Sequence, residues 1–377
     1  MKIVQICPYD MTRPGGVQSH VRDLSRWLRD EGHAVRVVAP YPPAGIAGGE
    51  VSCCGRARMV SMFGTRFEVS LAGRRELREL AVDLHDWGAE VVHLHTPWTP
   101  LMAWQLWRRL HLPAVTTFHA TLPEASAGGL SGRALRAVAG YFMKRSQAVV
   151  VPSEAPLAHL RPQERGVSAH VLPPAVNLAP WREAGAKRGQ RPPGRLEIGF
   201  LGRFEARKGL HVLLAAWPEI AMRVPEAHLT IAGGGPLLPS VRQAMAGLHG
   251  DRIRLVDTPD DATARKLVAG WDIFVAPAPY GESFGLVLVE AMAAGALPIA
   301  AANAGYTGVL EHGEGASLLV PPEDAGALAR RIVELAATPD RRNTLRRWTM
   351  ARARELDLPA TGRRLVEIYR EALALPG

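Results

Sequence analysis

Two glutamates eight residues apart, Glu282 and Glu290, stand in the stretch that says most about the chemistry of the chain, GESFGLVLVEAMAAG. Glu282 follows a predicted strand, and Gly285 is predicted to begin a helix that carries Glu290, with Ser283 as its N-cap. The unpaired amides at 284–286 would then receive a phosphate. Because eight residues along a helix rise about 12 Å, the carboxylates could contact opposite ends of one elongated ligand, sugar hydroxyls and a ribose. The alternative makes Glu290 a surface charge and Glu282 a partner of the helix dipole.

Two cations follow another predicted strand, in FLGRFEARKGL. The strand ends at Leu201, Gly202 gives room for a ligand, and Arg203 and Lys208 lie in the same loop. An arginine offers a planar fork to phosphate oxygens and a lysine offers a compact point charge, so this pair suits a diphosphate. A solvated basic loop is the competing interpretation, since the whole chain is rich in arginine.

Two adjacent glycines, Gly15 and Gly16, precede a predicted helix over residues 17–31. Glycine lets the backbone approach a ligand without a Cβ in the way, and the free amides of a helix start favour an anion. The other interpretation is a turn that needs a positive φ. The G-x-G-x-x-G fingerprint of dinucleotide sites does not occur here, which argues against an NAD-dependent oxidoreductase.

Patterns typical of buried parallel strands alternate with helical periodicity along the chain. Nearly all-apolar runs such as KIVQIC, AVRVVAP, VVHLH, AVTTFHA and AVVVPS predict strands in the first half, with helices such as 17–31 and 76–87 between them. The same rhythm returns after residue 195 in EIGFLGR, HLTIAGGG, IRLVD, IFVAPAP, LPIAAAN and ASLLVPP. We therefore expect an α/β fold in which two Rossmann-like domains face each other across a cleft.

Length and composition predict where these domains begin and end. The chain has 377 residues, more than one hydrophobic core comfortably supports. Residues 1–178 form the predicted N-terminal domain and residues 196–356 the C-terminal domain. Between them, residues 179–195 are polar, basic and rich in glycine and proline, which predicts a linker. Residues 357–377 are predicted to contain a C-terminal helix, over 361–375, that could cross back to the N-terminal domain.

Charge and cysteine content restrict the classes of partner and compartment. The formal net charge of +9 leaves phosphate groups, nucleic acid and an acidic membrane face as candidate partners. Because the arginines are scattered without an aromatic-basic platform, we expect no nucleic-acid partner. The three cysteines form neither a disulfide framework nor a metal-ligand spacing. No signal peptide or membrane-spanning run is evident, so we expect a cytoplasmic protein, at most peripheral to a membrane.

The motifs FLGRFEARKG and PGGVQSHV, with the E-x7-E pair of Glu282 and Glu290, resemble those of the family 4 glycosyltransferases, which have the GT-B fold. The similarity extends in order over nearly the whole chain. Within that family, ICPYDMTRPGGVQSHV, TTFHA and GESFGLVLVEAMAAG are most similar to the bacterial phosphatidylinositol mannosyltransferases. This resemblance implies a cytoplasmic enzyme at the inner face of the plasma membrane that uses GDP-mannose, without a cofactor or metal. It also implies an acceptor-side N-terminal domain and a nucleotide-sugar-binding C-terminal domain.

The resemblance implies roles for residues at matching positions. The implied catalytic residues are His119, Arg203, Lys208 and Glu282. The implied donor-binding residues are Gly15, Gly16, Arg203, Lys208, Asp261, Glu282, Ser283, Phe284, Gly285, Leu286 and Glu290. The implied acceptor-binding residues are Tyr9 and Gln18. In this scheme Gly16, Arg203 and Lys208 bind the diphosphate, Glu282 and His119 contact the transferred sugar, and Glu290 binds the ribose.

The expected reaction is retaining, metal-independent transfer of a hexose from a GDP- or UDP-linked donor to a hydroxyl acceptor. The favoured donor is GDP-mannose, since Asp261 could accept hydrogen bonds from a guanine. A lipid such as phosphatidylinositol is among the candidate acceptors. A UDP-sugar with a non-inositol lipid, polysaccharide or small-molecule acceptor is the second possibility, and a nucleotide-sugar epimerase is a third. Arg74, Arg75 and Arg78 open a helix whose basic face could meet an anionic membrane, or whose apolar side lies in the core.

Overall fold

The chain folds into two α/β units in a computed structural model. Residues 1–13, 15–42, 51–62, 65–97, 101–119, 130–189, 194–248 and 251–375 are described, with the backbone alone at 60–62, 65–67 and 130–131. The first unit comprises Met1–Val176 and Leu358–Gly377, and the second comprises Asn177–Asp357.

The strands and helices alternate along both units. The strands are β1 (Lys2–Ile6), β2 (Ala34–Tyr41), β3 (Val51–Met62), β4 (Thr65–Leu71), β5 (Val91–His95), β6 (Ala114–Thr117), β7 (Ala148–Val151), β8 (Ala169–Val171), β9 (Leu196–Leu201), β10 (Ala227–Gly233), β11 (Ile253–Asp257), β12 (Ile273–Ala276), β13 (Leu297–Ala301) and β14 (Leu319–Val320). The helices are α1 (Gly16–Asp30), α2 (Arg74–Asp86), α3 (Leu101–Leu110), α4 (Leu130–Met143), α5 (Leu157–Leu160), α6 (Ala179–Ala186), α7 (Leu210–Arg223), α8 (Leu238–Ala246), α9 (Asp261–Gly270), α10 (Leu286–Ala293), α11 (Ala304–Leu310), α12 (Ala325–Ala337), α13 (Pro339–Glu355) and α14 (Leu358–Ala374).

The sheet of the first unit has the order β4-β3-β2-β1-β5-β6-β7-β8. Its pairs are parallel except β3–β4, which is antiparallel. The apolar runs of the sequence form its central strands, as predicted. The β3–β4 pair was not predicted, because VSCCGRARMVSM contains no long apolar run. An antiparallel pair at a sheet edge does not need one, since it is not covered by helices on both faces.

Two layers of helices cover this sheet. On one face, α2, α3 and α4 contribute a core cluster that includes Leu77, Leu106 and Phe142. On the other face, α1 and α14 pack together around residues such as Leu24 and Ile368. The predicted C-terminal helix is therefore α14, and it packs on the first unit.

The sheet of the second unit has the order β11-β10-β9-β12-β13-β14, with all pairs parallel. The predicted strand in ASLLVPP begins with the end of a 3₁₀ turn over Gly313–Leu318, and only the short β14 is a strand. Part of the predicted linker is the helix α6, which belongs to this unit and packs on α10. A Cβ on Gly185 would lie 2.5 Å from the carbonyl oxygen of Ala294, so this packing depends on glycine. Residues 190–193 of the predicted linker lie outside the described residues.

Within the described ranges, none of the helices combines the length and the apolar character that crossing a bilayer requires.

Candidate active site

The second sheet has a topological switch point between β9 and β12. The chain moves from β9 outward to β10 and β11, and then returns to the other side of β9 as β12. At such a point the loops at the carboxyl ends of the two neighbouring strands diverge and leave room for a ligand. The loop after β9 carries Arg203 and Lys208, and the loop after β12 carries Glu282. Residues predicted from two separate motifs therefore lie at one edge of this sheet.

Five charged side chains of these two loops form one network, which we call the Arg203 cluster: Arg203, Glu205, Arg207, Lys208 and Glu282. Glu205 pairs with Arg203 Nη2 at 2.6 Å and with Arg207 Nε at 2.9 Å. Glu282 Oε1 accepts hydrogen bonds from Lys208 Nζ at 2.6 Å and from Arg207 Nη1 at 3.2 Å. Three cations and two carboxylates give the cluster a formal charge of about +1, which favours an anionic ligand.

The members of the Arg203 cluster differ in exposure. The side chain of Arg203 is 69% exposed, so its ion pair with Glu205 resembles other surface pairs, worth about 0–1 kcal/mol. The side chains of Lys208 and Glu282 are 17% and 11% exposed, so water screens their ion pair much less. A lysine ammonium has three donors, so its bond to Glu282 does not exhaust its capacity for phosphate oxygens. Arg207 was not predicted, although its position next to Lys208 in the same basic loop was a signal.

Gly209 fixes the position of Lys208. It ends the 3₁₀ turn Ala206–Lys208 with a φ of +66°, a left-handed conformation that favours glycine. A Cβ on Gly209 would lie only 2.0 Å from the carbonyl oxygen of Pro277, directly after β12. The missing side chain thus lets the β9 loop lie against the β12 loop, where Lys208 meets Glu282.

The start of α10 differs from the prediction. Gly285, not Ser283, is the N-cap, with a φ of +103° and without a side-chain cap. A Cβ on Gly285 would lie 2.6 Å from the ring of Tyr306, which explains why glycine stands there. Because α10 begins at Leu286, the first four of the eight steps from Glu282 to Glu290 are not helical, and the expected 12 Å helical rise between them is wrong. The first turn of α10 still presents backbone amides that have no partner within the helix.

The remaining donor-side predictions lie on other parts of the second unit. Glu290 is half-buried on the second turn of α10, and Phe284 is buried directly before that helix. Asp261 is exposed in the first turn of α9, while its neighbour Asp260 caps that helix by accepting a hydrogen bond from the backbone N–H of Thr263 at 2.7 Å. Hydrogen bonds from the side chain of Thr263 and from this backbone N–H lower the pKa of Asp260.

The first sheet has its own switch point, between β1 and β5, and α1 begins after the carboxyl end of β1. Gly15 has a φ of 176°, an extended conformation that any residue can adopt, so the alternative of a positive-φ turn is wrong for this glycine. A Cβ on Gly15 would instead meet the side chain of Gln18, at 2.3 Å from Oε1. Gly16 is the exposed first residue of α1, and Tyr9 is half-buried in the loop before it.

A buried acidic pair anchors this loop, and it was not predicted. Glu68 Oε2 accepts a hydrogen bond from the backbone N–H of Asp10 at 2.8 Å, and Glu68 Oε1 pairs with Arg13 Nη1 at 2.9 Å. Asp10 Oδ1 accepts hydrogen bonds from the backbone N–H and hydroxyl of Thr12. The loop that leads to Gly15 is therefore held on the β4 side of the sheet.

His119, the predicted catalytic histidine, belongs to a cluster of four, which we call the histidine cluster: His20, His93, His95 and His119. The His119 ring lies edge to edge with that of His95, with centroids 5.2 Å apart, and its Nε2 lies 2.9 Å from His95 Nδ1. His20 packs its edge against His119 at 4.7 Å. Only His119 of the four was predicted. For two of the other three, the signal was the alternation HLH in a buried strand, which places His93 and His95 on the same face.

Burial keeps the histidine cluster neutral. Desolvation lowers the pKa of His20 to about 4. Desolvation, with smaller contributions from neighbouring histidines, holds the pKa values of His93, His95 and His119 well below the ordinary range. The adjoining cavity has a volume of about 10 Å³, about the space of one water molecule and too small for a sugar.

Three ring nitrogens of the cluster, from His20, His95 and His119, lie within 4.8 Å of one another, close enough to suggest a metal site. The hydrogen bonds argue against one. His20 Nδ1 accepts from the backbone N–H of Ala175 at 2.9 Å, so the proton of the neutral ring lies on Nε2. A metal-binding histidine has the opposite arrangement, in which the second nitrogen donates to its support.

Two family models match the chain. The model described as Glycosyltransferase Family 4 matches residues 14–180, and the one described as Glycosyl transferases group 1 matches residues 195–338. With two doubly wound sheets and a cationic cluster at a switch point, these matches define the class as the GT-B glycosyltransferases, as the sequence motifs predicted. The chain belongs to glycosyltransferase family 4, and it is a hexosyltransferase.

Relatives match over nearly the full length of the chain. A phosphatidyl-myo-inositol mannosyltransferase from Mycolicibacterium smegmatis is 33% identical over 362 residues, 94% of this chain and 89% of the relative. One from Mycobacterium leprae is 33% identical over 384 residues, 100% of this chain and 98% of the relative. Among solved structures, Anabaena Alr3699/HepE in complex with UDP and glucose has a TM-score of 0.74 at 18% identity and covers 98% of this chain and 99% of its own.

Proposed function

We propose that this enzyme transfers mannose from GDP-mannose to a hydroxyl of an inositol-containing membrane lipid, with retention of the anomeric configuration and without a metal. The observation that carries the proposal is the Arg203 cluster at the carboxyl ends of β9 and β12, in a chain 33% identical to two phosphatidyl-myo-inositol mannosyltransferases. In this proposal the enzyme acts in the cytoplasm, peripheral to the inner face of the plasma membrane.

The proposed catalytic effect of the Arg203 cluster is to stabilise the leaving diphosphate. Cleavage of the bond between sugar and phosphate increases the negative charge on the departing oxygen. Fixed cations and amides aimed at that oxygen stabilise the transition state more than the bound donor. Arg203 and Lys208 supply the cations, supported by Arg207, and residues 284–286, which lead into α10, supply backbone amides.

Lys208 and Glu282 would act as a unit on the two sides of the bond that breaks. Their ion pair at 2.6 Å places a phosphate-binding cation beside a carboxylate that can accept hydrogen bonds from sugar hydroxyls. This juxtaposition matches the order of groups in a sugar diphosphate.

The other predicted residues complete the proposal. Glu290 contacts the ribose and Asp261 the guanine, while His119 contacts the transferred sugar. The start of α1, at Gly15 and Gly16, binds a phosphate oxygen. Tyr9 and Gln18 contact the acceptor, and their placement in the loop after β1 and in the first turn of α1 is compatible with that role.

The test is a transfer assay with purified protein, GDP-mannose and vesicles that contain phosphatidylinositol, followed by mass spectrometry of the extracted lipid. We expect a lipid heavier by one hexose, in equal amount with and without excess EDTA. Product from UDP-glucose or another UDP-sugar, and not from GDP-mannose, would show that the proposed donor is wrong. Product on a soluble inositol phosphate alone would show that the acceptor is not a lipid. A free epimerised nucleotide sugar would show that the enzyme is an epimerase and not a transferase.

The stereochemistry and the membrane contact need separate measurements. An NMR spectrum of the isolated product should show the α-anomer, the configuration of the donor, whereas a β-linked product would exclude retention. Flotation with vesicles should carry the protein upward when the vesicles contain phosphatidylinositol and not when they are made of phosphatidylcholine alone. Equal flotation with both, or none, would contradict binding through the anionic headgroup.

A further inference from the structure

A continuous line of hydrogen bonds connects the histidine cluster with the C-terminal helix. Its donor–acceptor distances are 2.7 Å from His93 Nε2 to Thr117 Oγ1, 2.7 Å from His93 Nδ1 to the Tyr369 hydroxyl, 3.1 Å from that hydroxyl to Gln5 Nε2, 2.5 Å from Gln5 Oε1 to His95 Nε2, and 2.9 Å from His95 Nδ1 to His119 Nε2. The line joins β1, β5, β6 and α14, and Gln5, His93, His95 and Tyr369 are each at most 1% exposed. A polar line with so buried a centre requires that donors and acceptors match at every step.

The Gln5 amide sets the direction of this line. A neutral imidazole has one donor and one acceptor nitrogen, so in a line of neutral rings the direction of a single bond fixes all the others. Gln5 donates from its Nε2 to Tyr369, which leaves its carbonyl oxygen facing His95 Nε2. His95 must therefore carry its proton on Nε2, and its Nδ1 must accept.

The direction continues to both ends of the line. Since His95 Nδ1 accepts, His119 carries its proton on Nε2 and donates it to His95. The acceptor nitrogen of His119 is then Nδ1, to which none of the described residues is bonded. At the other end, Tyr369 donates its hydroxyl proton to His93 Nδ1, and His93 Nε2–H donates to Thr117.

Packing holds the His119 ring in this orientation. The His95 ring lies edge to edge with it at an interplanar angle of 21°, and the His20 ring packs against it at 65°. A 180° flip of the ring would place the carbon Cε1, instead of Nε2, against His95 Nδ1, and the hydrogen bond would be lost.

We propose that His95 is a positioning residue, fixed by Gln5 and Tyr369, that holds His119 as the Nε2–H tautomer and so offers His119 Nδ1 as an acceptor to a hydroxyl of the transferred sugar. This proposal deepens the proposed function, on which the sugar contact of His119 rests. It gives α14 a role in the site beyond packing, because Tyr369 comes from that helix.

The test reads the tautomers directly, in full-length protein labelled with 15N-histidine. Long-range 1H–15N correlation spectra distinguish protonated from unprotonated ring nitrogens, and a His119→Gln variant assigns the His119 signals. We expect Nε2–H for His119 and His95 in the wild-type protein. An Nδ1–H tautomer of His119 would overturn the proposal whether or not the protein transfers mannose. A wild-type protein with the expected tautomers and no mannosyl transfer would instead contradict the proposed function alone.

Two substitutions of His95 separate positioning from structural support. His95→Leu removes the acceptor for His119, whereas His95→Asn keeps an oxygen acceptor the same number of bonds from the backbone as Nδ1. We expect the leucine variant to show mixed His119 tautomers and a kcat lower by at least about tenfold, since a catalytic imidazole in the wrong tautomer can cost as much as ~10⁴-fold. The asparagine variant should recover the tautomer and most of the lost kcat.

The control is the same leucine substitution at His85, an exposed residue at the end of α2, which should change neither tautomer nor kcat. If His95→Leu does not fold, Tyr369→Phe decides, because it keeps a ring in the core and breaks the line between Gln5 and His93. A loss of kcat with an unchanged His119 tautomer, in whichever variant folds, would show a structural role and overturn the proposal.

Discussion

Arg203 and Arg195 make the same kind of contact at opposite ends of one strand. Arg203 pairs with Glu205 at 2.6 Å after the carboxyl end of β9, and Arg195 pairs with Glu197 at 2.5 Å at its amino end. Both arginines are exposed, with 69% and 45% of the side chain accessible. They differ in position relative to the switch point, so a comparison between them isolates the proposed role in binding the diphosphate.

We expect Arg203→Ala to lower kcat by roughly a hundredfold, the cost of removing one group that stabilises developing charge. Arg195→Ala loses only a surface ion pair, worth about 0–1 kcal/mol, and should leave kcat within about twofold of wild type. Steady-state kinetics with GDP-mannose at saturating acceptor measures both. Similar kcat values for the two variants would remove Arg203 from the catalytic residues.

At the scale of elements, two glycines with the same backbone conformation stand in different surroundings. Gly209 and Gly166 each end a 3₁₀ turn, with φ values of +66° and +68°. A Cβ on Gly166 would meet no atom within 4 Å, whereas a Cβ on Gly209 would collide with Pro277. The pair therefore separates the cost of a left-handed backbone from the cost of pushing two loops apart.

Gly166→Ala should lower the free energy of unfolding by about 1–2 kcal/mol, the cost of a left-handed alanine. Gly209→Ala should lose about 1–3 kcal/mol more through overpacking, and should also raise the KM for GDP-mannose, because Lys208 moves away from Glu282. Urea denaturation and steady-state kinetics give the two quantities. An unchanged KM for Gly209→Ala would show that the loop contact does not position the donor site.

The elements that were predicted correctly are those whose local pattern is strong. Apolar runs between helical segments predicted the central strands, and the motif GESFGLVLVEAMAAG predicted a helix close to where α10 lies. The N-cap at Ser283 was wrong because serine is favoured there by local chemistry, whereas Gly285 is required by the ring of Tyr306, a contact that the local sequence does not contain. The histidine cluster was missed for the same reason, since parallel strands bring His95 and His119 together from 24 positions apart.

At the scale of the whole molecule, the buried histidines make the two units respond differently to acid. His20, His93, His95 and His119 all lie in the first unit, and their pKa values are lowered by burial. Among the described histidines of the second unit, His211 and His312 are exposed and His228 is half-buried. As pH falls below about 6.5, the unfolded first unit takes up protons that the folded unit does not, so its stability decreases.

For His20, whose pKa in the folded protein is about 4, this loss develops between pH 6.5 and pH 4. Each such histidine contributes at most about 1.4 kcal/mol per pH unit, and a change of 1 kcal/mol moves the Tm of a unit this size by about 2–4 °C. Scanning calorimetry at pH 7.5 and 5.5 should therefore show one transition shifting downward by several degrees. His20→Asn keeps an acceptor for the backbone N–H of Ala175 and removes the titrating group, so its acid shift should be about 3–5 °C smaller. An acid shift of the same size in His20→Asn and in wild type would mean that His20 takes up its proton in the folded state as readily as in the unfolded chain.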